Sequence, residues 1–274
     1  MKKIVVAPDS FKGSLTSAEV ADAVERGIKD VFPQCNVVKA GVADGGEGTV
    51  EAIVKAVGGD MYTASVTDPL GRPVKAAYGI VRSGGVKTAV MEMSAASGLP
   101  LLLPDELNPW ITSTYGTGEM ISDALNRGCR KFLVGIGGSA TNDAGTGMLS
   151  ALGVRFLDSR GQRLKGCGRD LESIARIDMS SLMPAARESE FIVACDVNTP
   201  FCGPDGAARV FAPQKGADPQ TAEALDRGMR SFARVIAGQF QTDIVPLSGA
   251  GAAGGLGGAF KAFLNARLTA GIEM

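Results

Sequence analysis

Residues 132–147, FLVGIGGSATNDAGTG, decide which fold the sequence predicts. A short apolar run ends at Gly137 and Gly138, and polar residues then lead into a helix-like stretch. This order predicts a buried parallel strand, a tight turn and a helix N-terminus. Free backbone N–H groups at such an N-terminus bind anions, and glycine lets the backbone approach them closely. The stretch therefore predicts a phosphate or carboxylate site that includes Gly137, Gly138, Ser139 and Asn142.

Two other interpretations of the same stretch stay open. Residues 135–140, GIGGSA, match the dinucleotide fingerprint G-x-G-x-x-A, and Asp158 follows about 20 residues later, where a ribose-binding acid would lie. A glycine-rich turn can also be tight and nothing more, and 37 glycines in 274 residues make chance matches frequent. The local pattern leaves an anion site, a nicotinamide dehydrogenase and a plain turn as alternatives.

Composition and charge argue against several classes of function. Hydrophobic residues make up 45% of the chain and charged residues 21%, which is typical of a globular protein with a sizeable core. A net charge of −1 disfavours nucleic-acid and anionic-membrane partners, and no apolar run approaches membrane-spanning length. Histidine is absent, so any general base is Asp, Glu, Lys, Tyr or Cys. Five cysteines without CxxC spacing predict reduced thiols in the cytoplasm.

The order of apolar runs predicts an α/β fold with two domains. Residues 1–59 alternate strand, helix, strand and helix, as at the start of a doubly wound sheet. The next strand candidates, 62–67, 74–81 and 88–93, have no helix between them, which predicts an antiparallel or mixed sheet. The change of pattern predicts a domain boundary near residue 65, between domains 1–65 and 66–274.

Three apolar strand candidates end in an aspartate, at Asp9, Asp44 and Asp196. Ligands of open α/β sheets bind at the carboxyl ends of the strands, so we expect these carboxylates and the glycine turn to converge. Lys12 lies close to Asp9 in the sequence. Phosphoryl transfer from ATP requires a phosphate cradle, a lysine, carboxylates for Mg²⁺ and a base. The residues alone thus predict an α/β enzyme that handles an anionic or phosphorylated small molecule.

Eight sequence blocks together resemble the bacterial two-domain glycerate kinase family. In chain order they are APDSFKGSLTSAEVA, VADGGEGTVEA, DPLGRPV, EMSAASGL, TSTYGTGEMI, GIGGSATNDAGTGML, ACDVNTPFCGPDGAARVFAPQKGA and GAGAAGGLGGAF. The resemblance implies a flavodoxin-like α/β domain with an inserted second α/β domain of mixed sheet. It also implies phosphorylation of D-glycerate to 2-phosphoglycerate with ATP and Mg²⁺. Family members continue past residue 274, so we expect domain 1–65 to be completed by a C-terminal segment outside this sequence.

The residue roles for an ATP:glycerate phosphotransferase follow as hypotheses. Asp196 or Asp44 positions and deprotonates the acceptor hydroxyl, and the other, with Asp9, holds Mg²⁺. Lys12 and Lys215 neutralise phosphate charge.

Further groups would recognise the anions of the two substrates. The glycine turn donates to a phosphate or to the glycerate carboxylate, and Arg72 or Arg209 clamps that carboxylate. Two alternative functions remain: a dehydrogenase that binds NAD at residues 135–140, and a protein that binds glycerate or nucleotide without turnover.

Overall fold

The structure, a computed structural model, describes residues 3–8, 11, 14–40 and 48–271. Its strands are β1 (Lys3–Val6), β2 (Asn36–Lys39), β3 (Gly59–Thr67), β4 (Pro73–Ser83), β5 (Val86–Glu92), β6 (Lys131–Gly135), β7 (Arg155–Leu157), β8 (Arg176–Asp178), β9 (Glu190–Ala194) and β10 (Arg267–Thr269). Its α-helices are α1 (Ser17–Val31), α2 (Thr49–Val57), α3 (Ser94–Ser97), α4 (Tyr115–Asn126), α5 (Thr146–Ala151), α6 (Pro184–Arg187), α7 (Ala207–Phe211), α8 (Pro219–Phe240) and α9 (Ala252–Leu264).

The first four elements alternate strand and helix, which confirms the order predicted for the start of the chain. Strands β1 and β2 pair in parallel, with Ile4 opposite Val37. Helix α1 begins with a capping box, in which the Thr16 hydroxyl accepts from the Glu19 N–H at 3.2 Å and the Glu19 carboxylate accepts from the Thr16 N–H at 2.8 Å. Such reciprocal bonds satisfy two N–H groups that the helix itself leaves unpaired, and so fix where the helix begins.

A six-stranded sheet, in the order β10-β9-β6-β5-β4-β3, organises the rest of the described chain. Strands β10, β9, β6 and β5 are parallel, whereas β4 and β3 are antiparallel. This arrangement confirms the predicted α/β class with a mixed sheet. Strand β3 runs continuously through residue 65 and pairs with β4 along its length, so the boundary near that residue stays a prediction.

The register of the parallel strands aligns their carboxyl ends. Glu92 lies opposite Gly135, Gly135 opposite Ala194, and Ala194 opposite Thr269. Everything that follows these four residues therefore emerges at one edge of the sheet, which we call the carboxyl edge. The turn between β3 and β4 lies beyond the same edge, because β4 runs antiparallel to β5 and begins where β5 ends.

Aromatic stacking ties the helices to the sheet. Phe132 on β6 stacks on Phe191 of β9 with ring centroids 4.7 Å apart, and Phe191 contacts Phe260 of α9 at 5.8 Å. All three side chains are buried. Burial of such rings supplies much of the apolar free energy that holds the parallel strands in register.

Parts of the chain are more regular than the sequence predicts. Residues 197–217, whose sequence has little periodicity, contain α7 and a 3₁₀ turn at Pro213–Lys215. Strands β8 and β10 were not predicted, because strands of three residues are too short to show a period.

All five cysteines lie in the described residues, and none of them forms a disulfide there. Among the helices that the structure describes, none combines the length and apolar character needed to cross a bilayer.

Candidate functional site

The strand-to-helix connection after β6 differs from the prediction. Helix α5 begins at Thr146, well after the glycine turn, because Ala144 and Gly145 adopt left-handed backbone conformations with φ of 51° and 71°. Its first N–H groups are already used: those of Gly145 and Gly147 donate to the Asp143 carboxylate at 3.0 and 3.2 Å. The expectation of an open helix N-terminus as the anion site is therefore wrong.

The glycine turn itself has the features of an anion site. Gly137 and Gly138 are exposed at the carboxyl edge, and Gly138 has φ of 70°. In the described part of the chain, the N–H groups of Gly137, Gly138 and Ser139 donate to no backbone acceptor outside regular strands and helices. The turn is fixed by the Leu99 N–H, which donates to Gly138 O at 2.9 Å. Successive N–H groups exposed in such a turn form a concave nest that favours anions.

Lys215 lies beneath this turn. Its side chain is 1% exposed, and Nζ donates to Ser139 Oγ at 2.7 Å and to Thr141 O at 2.6 Å. Burial lowers the pKa of Lys215 to about 7, against a smaller opposing effect of Asp143. The ammonium is thus enclosed by protein, and its role in neutralising phosphate charge stays a prediction.

Asp143 is a buried hub that sequence reasoning missed. Its Oδ2 accepts from the Thr114 N–H at 2.7 Å and from the Thr114 hydroxyl at 2.8 Å, in addition to the glycine N–H groups at the start of α5. Burial raises the pKa of Asp143, and these donors oppose the rise because they favour the charged form. The hub joins the start of α4 to the loop that carries the glycine turn.

Asn142, a predicted anion donor, is fully buried. Its Nδ2 lies 3.3 Å from the Met229 sulfur, and its Oδ1 has no hydrogen-bond partner in the described residues. The neighbouring Thr141 Oγ1 is likewise buried and without a partner there. Asn142 therefore lies behind the turn and does not face solvent.

Asp196 follows β9 and is exposed at the carboxyl edge, one strand away from the glycine turn. One of its oxygens accepts from the Gly271 N–H at 2.9 Å, which leaves the carboxylate accessible. The structure thus places Asp196 and the turn at the same edge, as expected. The other predicted catalytic and metal residues, Asp9, Lys12 and Asp44, lie outside the described residues.

The two candidate arginines are already paired with carboxylates. Arg72, in the turn after β3, bonds to Asp68 and to Glu106, each at 2.5 Å. Arg209 on α7 lies 3.7 Å from Asp226. A role of either arginine in clamping a substrate carboxylate stays a prediction.

The dinucleotide interpretation finds no support in the geometry. A Rossmann turn leads directly into its helix, but here ten residues separate the end of β6 from the start of α5. Asp158, the expected ribose ligand, accepts from the N–H groups of Arg160 and Gln162 at 2.9 and 2.8 Å within its own turn. Its role is that of a turn-forming aspartate.

A surface cavity lined by described residues lies elsewhere. It has a volume of about 490 Å³ and is lined by residues that include Gly59, Tyr62, Lys87 and Arg127. Gly59 and Lys87 lie near the starts of β3 and β5, so the cavity opens at the opposite edge of the sheet from Asp196 and the glycine turn. It takes no part in the site considered above.

Comparisons with known proteins identify relatives of the whole chain. A sequence profile described as the glycerate kinase family matches residues 4–274. A protein of Haemophilus influenzae named glycerate kinase is 48% identical over 272 residues, which are 99% of this chain and 71% of that protein. A protein of Escherichia coli K12 named glycerate 2-kinase is 47% identical over the same shares.

A solved structure agrees with the sequence comparisons. A crystal structure assigned to glycerate kinase 2 of Salmonella typhimurium LT2 superposes with a TM-score of 0.88 at 47% identity, covering 99% of this chain and 72% of that one. The chain belongs to the glycerate kinase family.

Proposed function

We propose that this protein transfers the γ-phosphoryl group of ATP to a hydroxyl group of D-glycerate and releases 2-phosphoglycerate and ADP. Membership of the glycerate kinase family supports the reaction class, and the relative named glycerate 2-kinase supports the position of transfer. The observation that carries the proposal is the pairing, at one edge of the sheet, of an exposed glycine turn suited to anions with the exposed carboxylate of Asp196.

The chemistry requires one bond to form as another breaks. The glycerate hydroxyl oxygen attacks the γ-phosphorus, the bond from phosphorus to the β,γ-bridging oxygen breaks, and the hydroxyl proton passes to a carboxylate. Asp196 or Asp44 takes that proton, while the other, with Asp9, would hold Mg²⁺. Lys12 neutralises phosphate charge. The N–H groups of the glycine turn bind a phosphate or the glycerate carboxylate, and so orient the reactants.

The described residues are compatible with Mg²⁺ but do not enclose it. No group of three or more acidic or thiol side chains suited to a metal occurs among them. Magnesium bound to a nucleotide needs only one or two carboxylates, because the phosphates supply further oxygens. Asp196 can supply one of these, and the bound ion would neutralise charge on the phosphates.

We also propose a cytoplasmic location. The cysteines support it, because none of the five forms a disulfide and the reducing cytoplasm keeps thiols unoxidised.

The first test measures ADP release from MgATP with and without D-glycerate, with the product identified by phosphorus NMR. We expect glycerate-dependent turnover that gives 2-phosphoglycerate. Asp196→Asn should lower turnover by at least about 100-fold, because general-base and metal roles both need the carboxylate. Asp60→Asn is the matched control, since Asp60 is an exposed aspartate at the opposite edge of the sheet.

Two results would contradict the proposal. A folded wild-type protein that binds D-glycerate but releases no ADP would be a binding protein without turnover. Activity of Asp196→Asn equal to that of Asp60→Asn would remove Asp196 from the mechanism.

A further inference from the structure

Lys215 is a buried cation that has no contact ion pair among the described residues. Its ammonium bonds to a hydroxyl and a carbonyl, Ser139 Oγ and Thr141 O, and no carboxylate lies within 4.0 Å of it in that part of the chain. A buried charge without a partner of opposite charge lowers the stability of the fold. The presence of Lys215 at this position therefore indicates that a bound anion supplies the missing negative charge.

We propose that Lys215 is a positioning residue, which holds the Ser139 hydroxyl as an outward hydrogen-bond donor to the anionic group bound at the glycine turn. The inference rests on the proposed function and adds to it a buried residue that positions one of the donors at the glycine turn. The anion is a phosphate of ATP or the carboxylate of glycerate, and the experiment below separates the two.

The direction of the hydrogen bond carries the argument. An ammonium group has donors and no acceptor, so Ser139 Oγ must accept from Lys215. The serine proton is then left for another acceptor, and it has none among the described residues. A hydroxyl that accepts from a cation is also a stronger donor, because chains of hydrogen bonds polarise one another.

The position of Ser139 gives this proton access to a ligand. Ser139 is 6% exposed and directly follows the exposed glycines of the turn. Lys215 itself is enclosed. Lys215 therefore acts on the turn through the Ser139 hydroxyl that it polarises. Its second hydrogen bond, to Thr141 O, fixes the backbone that follows the turn.

The arrangement implies a dependence on pH. Burial lowers the pKa of Lys215 to about 7, and Asp143 is the ionisable group that opposes this shift. Once neutral, the amine can accept the serine proton, which turns the hydroxyl inward. Anion binding should therefore weaken as the pH rises through about 7, and a bound anion should raise the pKa of Lys215 by linkage.

The test compares Lys215→Met, Ser139→Ala and the double variant with two controls. Lys261→Met removes an exposed lysine on α9, and Ser150→Ala removes a buried serine hydroxyl that has no partner among the described residues. We expect each test variant to raise KM for one substrate by about 10- to 100-fold, the range for a lost charge-assisted hydrogen bond. The affected substrate, D-glycerate or MgATP, identifies the anion.

Two results would distinguish a role of Lys215 in positioning the Ser139 hydroxyl from a general role in stabilising the fold. The KM of the double variant should rise no more than that of either single variant, because each single substitution already removes the same hydrogen-bond donor. The rise of KM above pH 7 should disappear in Lys215→Met while thermal unfolding stays cooperative. If Lys215→Met does not fold, Ser139→Ala and its pH profile still decide the question.

Direct binding separates this inference from the proposed reaction. Calorimetry with D-glycerate and with MgATP, together with NMR of ¹³Cε-labelled lysine, reports on the turn even if no turnover occurs. Weaker binding in both single variants without wild-type turnover would sustain the inference and refute the reaction. Unchanged binding and KM in Ser139→Ala, or additive losses in the double variant, would overturn the inference.

Discussion

Replacing Asp143 with alanine should destabilise the fold strongly. The carboxylate is fully buried and accepts from the backbone N–H groups of Thr114, Gly145 and Gly147 at 2.7, 3.0 and 3.2 Å. Each buried donor left without an acceptor costs about 1–3 kcal/mol, so three give a loss of at least about 4 kcal/mol after partial entry of water. Asp143→Asn keeps an oxygen for two of these donors and loses the third, so we expect a loss of about 2 kcal/mol.

Urea unfolding followed by the fluorescence of Trp110, the single tryptophan, measures these differences. Asp158→Ala is the matched control, because Asp158 also accepts from two backbone N–H groups but in an exposed turn where water can replace it. The free energy of unfolding of Asp158→Ala should fall by less than about 1 kcal/mol. If Asp143→Ala were no less stable than Asp158→Ala, the hub would not hold the loop as argued.

Three further predictions concern local structure and pH. Thr16→Ala should cost about 1 kcal/mol and speed amide exchange in the first turn of α1, whereas Thr16→Ser should retain the cap. Gly254→Ala should cost about 2–4 kcal/mol in urea unfolding, because φ is +68° and the added Cβ would lie 2.2 Å from Thr141 O; Gly27→Ala, in an open helix position, should instead stabilise by about 0.5–1 kcal/mol. The lowered pKa of Lys215 means that above pH 7 the unfolded chain holds a proton that the folded chain releases. The free energy of unfolding should then rise with pH by up to about 1.4 kcal/mol per unit between pH 7 and 10, relative to Lys215→Met, and an absence of this difference would contradict the burial argument.

Structural features that depend on residues close together in the sequence were predictable. The capping box at Thr16 and the Asp218 cap of α8 each lie within four residues, and both are present. Strand β6 was predictable from its apolar run alone. In each case the residues that determine the structure are adjacent in the sequence.

The interior of the site was not predictable in the same way. Ser139 and Lys215 are 76 positions apart, and no local pattern indicates that a lysine in a polar loop is enclosed. The role of Asp143 depends on Thr114, which lies 29 positions away in the sequence. The start of α5 was misplaced because Ala144 adopts a left-handed conformation that its identity does not suggest.

Asp143 and Lys215, the two buried ionisable groups beneath the loop, differ in how fully the protein supplies their hydrogen-bond partners. This difference separates their roles. Asp143 receives donors on both of its oxygens, so nothing remains for a ligand to supply. Lys215 has two acceptors for three protons and no contact carboxylate among the described residues. Asp143 therefore fixes the loop, whereas the charge of Lys215 remains available to the turn above it. An anion at the glycine turn would complete the electrostatic balance that the protein leaves open, which is why binding there should depend on the protonation of Lys215.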